Sequence, residues 1–339
     1  MTDISDNGAA QPAPAPESSD GLVTAWLMDG RGGGQTIGWE EIRGWNPEQG
    51  LIWVHLDLTA NGARGWLRRE SGLEHHMAEA LLAEETRPRA LAAAAGLLVI
   101  LRGVNTNPGE DPEDMVAIRI WIEGNRIISI RRRRLLSIQD LRDDLAAGKG
   151  PESPGDFLVK LADRLVIRMS DAIEEIDAKV DELEEAVLVK ESQGLRGQLA
   201  DVRRTAILLR RYLSPQREAL ARLAAERTEL LSDNDRLGLR EVTDTVIRYV
   251  EELESARERA AVAQEELASR LAEQMNQRMY VLSMVAGLFL PLGFLTGLLG
   301  INVGGIPGSD NPTAFLEVSL LLAALVALQV VIFRWKNWF

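Results

Sequence analysis

Cysteine is absent from this sequence. That excludes disulfides, thiolate zinc sites and cysteine nucleophiles, and it leaves the redox compartment undecided. Histidine is nearly as scarce, with His55, His75 and His76 the only three. A catalytic metal centre built on several imidazoles is therefore not expected. Positive net charge is also lacking: the 339 residues carry a formal charge of −13. Such a balance argues against a nucleic-acid partner and for cationic ones. The start, "MTDISDNGAAQPAPAPESSDG", has neither a basic nor an apolar region, so it does not read as a signal peptide. Its Ala, Pro, Ser and Asp content reads as a disordered tail over residues 1–20. No Ser/His/Asp or carboxylate pair has a spacing that argues for catalysis, so no enzyme is expected. "GRGGG" at residues 30–34 lacks the Lys-Ser/Thr of a nucleotide loop and reads as a turn.

Apolar residues concentrate at the far end. Residues 279–301, "MYVLSMVAGLFLPLGFLTGLLGI", contain no charge, and residues 314–333, "AFLEVSLLLAALVALQVVIF", contain only Glu317. Each run reaches the roughly 20 residues that cross a bilayer as a helix. Arg270 and Arg278 precede the first run, Arg334 and Lys336 follow the second, and the loop at residues 302–313 has no Lys or Arg. By the positive-inside rule both termini face the cytoplasm and the loop lies outside. Two spans cannot enclose an ion path alone, so a channel or transporter of this kind must oligomerise. Small residues Ala286, Gly287, Gly293, Gly297 and Gly300 let helices approach closely. Pro291 suggests a bend in the first span.

Residues 235–278 read as one stalk helix running into the membrane, with apolar positions at Leu239, Val242, Val246, Tyr249, Val250 and Leu253. Residues 151–234 read as a helical region. Within it Ile173, Ile176, Val180, Leu183 and Val187 step three and four apart, a heptad-like stripe. The other face carries Glu174, Glu175, Asp177, Asp181, Glu182, Glu184 and Glu185. That face is either a solvated surface or a regulatory divalent-cation site, since hard cations prefer carboxylate oxygen. A following helix, expected to end at Ser214-Pro215, offers Arg203, Arg204, Arg210 and Arg211 as its counter-charges. Residues 21–150 alternate β-branched and aromatic runs with short helical patterns, giving an α+β domain of mixed sheet flanked by helices. The run of Arg131 to Arg134 reads as a solvated strand end or an intersubunit ion-pair row. His75-His76 reads as a surface pair.

These features together resemble the CorA metal-ion transporter family: an N-terminal α/β domain, a long helix entering the membrane, two spans, a short outer loop and a basic end. The family signature, usually Gly-Met-Asn, is matched by Gly300-Ile301-Asn302. The Ile variant followed by "VGGIPG" looks like the zinc-transporting ZntB branch, and "EETRPRAL" at residues 84–91 adds to the likeness. The resemblance implies a homopentameric funnel in a bacterial inner membrane with the first span lining the pore. It places Asn276, Met279, Leu282, Ala286, Leu290, Gly293 and Gly297 towards the axis, Gly300, Ile301 and Asn302 as the filter, and Arg334 and Lys336 at the inner mouth. It implies uptake of zinc as transported ion rather than cofactor, coupled to protons, although no pore position titrates. The alternatives are a Mg2+ (or Co2+/Ni2+) channel gated by cytoplasmic Mg2+, and a membrane-anchored metal sensor or scaffold.

Overall fold

A computed structural model describes residues 20–189, 194–301 and 311–336. The tail expected at residues 1–20 lies almost wholly outside that range. The chain divides into two compact units, residues 1–264 and 265–339.

The first unit is built on a seven-stranded mixed sheet. Its strands are β1 (Leu22–Met28), β2 (Gly34–Thr36), β3 (Leu51–Asp57), β4 (Arg89–Ala93), β5 (Gly96–Gly103), β6 (Val116–Glu123) and β7 (Arg126–Arg131), in the spatial order β2-β1-β3-β7-β6-β5-β4. Only β3 and β7 pair in parallel. β3, "LIWVHLD", is buried at every position, as a strand covered on both faces must be. Ile52, Val54 and Leu56 face helices α2 (Asn61–Arg69) and α3 (His75–Leu82), joining Ala63, Trp66, Leu67, Met77 and Leu81 in one core. The alternate residue Trp53 meets Phe157 edge-on at 5.2 Å. Phe157 belongs to α5 (Pro154–Val189), which with α4 (Leu136–Ala146) and α6 (Leu195–Ala225) covers the other face. The glycine-rich stretch forms the turn between β1 and β2, where Asp29 Oδ1 accepts from the N–H of Arg31 and of Gly33. Gly30 and Gly32 supply the left-handed backbone that the turn needs.

Periodicity identifies five strands and three short helices. It misses β2, β4 and α1 (Trp39–Gly44), because three residues of "GQT", an alanine-rich "RALAA" and a six-residue helix carry too little pattern. The heptad stripe of α5 is buried along its length. Helix α6 does not stop at Pro215 but continues to Ala225. A proline inside a helix costs about 3 kcal/mol; here Leu209, Leu213, Gln216, Ala219 and Leu220 are buried on both sides of it, and Gln216 Oε1 accepts from the N–H of Arg102 in β5 at 2.7 Å. That burial outweighs the lost bond. Helix α7 (Asp233–Leu299) starts where Ser232 and Asp235 exchange hydrogen bonds, and it buries Leu239, Val242, Val246, Tyr249, Val250, Leu253, Ala256 and Ala260 within the first unit. Its 67 residues are unbroken through Pro291. At 1.5 Å per residue it is about 100 Å long.

The arginine run is buried only at its start, and it ends on an exposed Arg134. Arg131 is buried against Asp57 at 3.2 Å, and Arg133 bonds Asp114 at 2.5 Å. His75-His76 does open α3 at the surface, with His76 beside Glu74 at 3.3 Å. His55 is buried, its Nδ1 2.7 Å from Ser129 Oγ, which also accepts from Trp53 Nε1 at 2.8 Å. Burial, reinforced by the charges of Arg131 and Arg142, holds the pKa of His55 well below its usual 6.5. The folded chain therefore keeps this imidazole neutral while the unfolded chain protonates it. The unfolded state binds the extra proton as pH falls below about 6.5, so stability contributed by neutral His55 is complete above that pH and declines beneath it. Thermal melts of the full-length protein should show this decline between pH 7 and pH 5, with a shallower slope in His55→Asn; equal slopes would remove His55 as the cause.

Candidate functional site

The second unit contains the last part of α7 and helix α8 (Ala314–Trp335). The apolar windows of these helices have mean hydropathies of 2.0 and 2.5, and no part of either is buried. Apolar surface on that scale needs lipid or other helices around it. The two helices pack on each other along matched faces. On α7 these are the half-buried Met284, Leu288, Leu292 and Leu295; on α8, Val318, Leu322, Leu325, Gln329 and Phe333. Gly287 permits the approach, since a Cβ there would lie 3.5 Å from Phe333 Cζ.

Asn276, Met279, Leu282, Leu290, Gly293 and Gly297 are all exposed, with Ala286 half-buried among them. At 100° per residue these positions form one stripe, on the side of α7 opposite the α8 contact. These positions share their exposure with Val281, Val285, Phe289, Phe294 and Leu298, so a single chain leaves most of the span uncovered. No side chain on the stripe titrates. Gly300 follows the helix directly, its N–H donating to Thr296 O at 2.9 Å and to Gly297 O at 3.2 Å. Ile301 is exposed. Asn302 lies outside the described residues. At the other end of the pair, Arg334 and Lys336 are exposed in and just after the last turn of α8.

Three polar residues of this unit escape a reading of hydropathy. Thr296 returns its hydroxyl to Leu292 O at 3.0 Å, which satisfies that donor within the helix. Glu317 accepts from Thr313 Oγ1 at 2.8 Å in the first turn of α8, where a helix dipole favours an anion. Gln329 sits on the face turned to α7, and its buried Oε1 has no hydrogen-bond partner among the described residues.

Comparison with known proteins decides the family. Residues 48–335 match the family described as CorA-like Mg2+ transporter protein. The chain belongs to the CorA family. It is 42% identical over 328 residues to the divalent cation transporter CmaX of Pseudomonas aeruginosa, spanning 95% of this chain and 98% of that protein. It is 37% identical over 306 residues to the zinc transport protein ZntB of Pectobacterium atrosepticum, spanning 90% and 92%. The full-length CmaX structure superposes with a TM-score of 0.83 at 40% identity, covering 96% of this chain and all of that one. The CorA magnesium transporter of Methanocaldococcus jannaschii, at 19% identity and a TM-score of 0.78 over 93% and 98% of the two chains, shares the fold.

In this CorA-family chain the acidic face of α5 meets an arginine of α7. Arg259 reaches Asp177 at 2.9 Å, Glu184 at 2.5 Å, and Asp181 as well. Hydrogen bonds donated to Glu184 first and Asp181 second raise the pKa of Arg259 above its usual value. Glu182 pairs with Lys179 at 2.7 Å, while Glu174, Glu175 and Glu185 point to solvent. Among the described residues, no group of three or more His, Asp or Glu side chains is arranged to hold a metal ion. The counter-charge expected from α6 goes elsewhere too: Arg210 pairs with Glu254 of α7 at 2.8 Å. Sequence spacing gives no hint of the Arg259 contact, because its partners lie about eighty positions upstream.

A guanidinium thus neutralises three carboxylates of the acidic face. Arg259→Gln should cost at most about 1 kcal/mol, since the pair is partly exposed. It should also make thermal stability respond to millimolar Mg2+, with the parent protein responding less. Melting both proteins across a Mg2+ series checks this; equal responses would show that the carboxylates do not sense the missing charge.

Proposed function

We propose that this protein transports divalent cations across a membrane and that zinc, taken up into the cytoplasm, is its principal cargo. The observation that carries the reading is that α7 is left uncovered on its side away from α8, where the positions from Asn276 to Gly297 lie. A stripe left bare along a whole span calls for further copies of the same helix, and a closed ring is the economical arrangement. The working assembly in this reading is a homopentamer with the stripe facing the axis. The relatives named as divalent-cation and zinc transporters support the cargo class.

The chemistry of the stripe suits a hydrated ion. Zinc held directly takes nitrogen or sulfur ligands in tetrahedral geometry. Amides, carbonyls and apolar groups offer no such set, so water stays as the inner shell. A ring of Asn302 amide oxygens following Gly300 and Ile301 is the proposed filter; an uncharged oxygen binds loosely enough to release, as conduction requires. Proton coupling has no titratable group on the stripe to carry it, so the coupling arm of the experiment stands apart from the transport arm. The Arg259 contact weighs against the reading of a channel closed by Mg2+ at the acidic face, because Arg259 already neutralises three of its seven carboxylates and Lys179 pairs with a fourth.

Zinc flux into liposomes, with and without a pH gradient, tests the reading. Flux in neither condition would remove the transport claim, and flux indifferent to the gradient would remove only the coupling. Mg2+ added as competitor ranks the two ions. Asn302→Ala should lower flux at least about tenfold through loss of a ring of acceptors, with oligomer mass unchanged. Normal flux in that variant would assign Asn302 to capping the helix end instead.

A further inference from the structure

The segment "EETRPRAL" at residues 84–91 lies in the first unit, and three arginines converge on it. Arg102 in β5, Arg119 in β6 and Arg132 just after β7 share the sheet face that carries α3. Arg119 is only 2% exposed. Its Nη2 donates to Ala83 O at 2.9 Å and Glu84 O at 3.4 Å, the carbonyls that follow α3. Its Nε and Nη1 are buried without a partner. Arg102 donates Nη2 to Thr86 O at 2.9 Å and Nη1 to Met115 O at 2.6 Å, and its guanidinium lies 4.0 Å from the Tyr212 ring centre. Its Nε is buried and unpartnered, as are Arg132 Nε and Thr86 Oγ1. Five buried donor atoms on four neighbouring residues are therefore open among the described residues.

The charge is as poorly matched as the hydrogen bonds. Burial first, then Arg132 and Arg102, lower the pKa of Arg119 to about 10, which leaves it protonated at neutral pH. Among the described residues, the one ion pair made by any of the three is Arg132 Nη2 to Glu84 Oε1, at 3.6 Å. Glu84 is 85% exposed, so it screens little. Asp114 influences Arg102 but is held by Arg133 at 2.5 Å. Water could fill the donors but would leave the charge. An oxyanion answers both, because a guanidinium fork matches two of its oxygens at once.

We propose that Arg102, Arg119, Arg132 and the Thr86 hydroxyl form a binding site for a small inorganic oxyanion of the phosphate class. Arg132, one-third exposed, is its open side, and Glu84 competes with the anion there. The site ties β5, β6 and the end of β7 to the segment after α3, which gives the "EETRPRAL" stretch a structural ligand.

The test is thermal unfolding of the full-length protein in detergent, titrated with inorganic phosphate or with chloride at constant ionic strength. Phosphate should raise the melting temperature saturably in the parent protein. Glu84→Gln should move that curve to lower phosphate, and Arg132→Gln should move it at least about tenfold higher. Glu84 is a surface side chain, so its variant reads the site even if Arg132→Gln folds poorly. General salting-out by phosphate gives a non-saturating rise that is the same in all three proteins, and that outcome would overturn the site in favour of buried water. An equal saturable rise with chloride would overturn the oxyanion assignment.

Discussion

One helix has to satisfy two solvents. The first part of α7 buries a single apolar stripe, through Leu239, Val246, Leu253 and Ala260, and leaves its other sides charged. The last part is apolar all round and buried nowhere. No break separates the two, because inside hydrocarbon each backbone group needs its intrahelical partner. The chain can leave the helix only where polar surroundings return, and it does so at Gly300.

The sequence is most legible where one period governs many residues. The two apolar runs, the stalk and the α5 stripe declare themselves, since burying a face repeats the same choice every three or four positions. β3 and β5 to β7 are readable for a related reason: sheet strands covered on both faces are long runs of Val, Ile, Leu and Trp. What hydropathy cannot show is a contact made once. Pro215 looks like a stop because local rules say so, and only the packing of Leu213, Gln216 and Leu220 overrides them. Arg259 looks like any stalk arginine until α5 lies beside it. Gln329 looks like a tolerated polar residue until the α8 face it occupies is known.

The acidic balance of the chain also conceals how it uses its arginines. Arg131 is buried against Asp57, Arg259 gathers three carboxylates, and Arg119 is buried with carbonyls alone. Net charge describes the surface seen by a partner. It says nothing of the few interior cations that fix where strands and helices meet, and those are the residues for which the neighbouring chain, rather than the residue type, determines the role.

The chain order of these elements has a consequence in time. β3 pairs in parallel with β7, so the middle of the sheet cannot close until residue 131 has been made. α5, α6 and the first half of α7 follow, and each has a finished surface to dock on as it emerges. The apolar part of α7 and the whole of α8 come after them. Since domains fold as units during synthesis, N-terminal parts first, the first unit can be complete before the two apolar helices exist. The segments most prone to aggregate are thereby exposed for the shortest time, and the membrane meets a chain whose folded part already holds the base of the helix to be inserted.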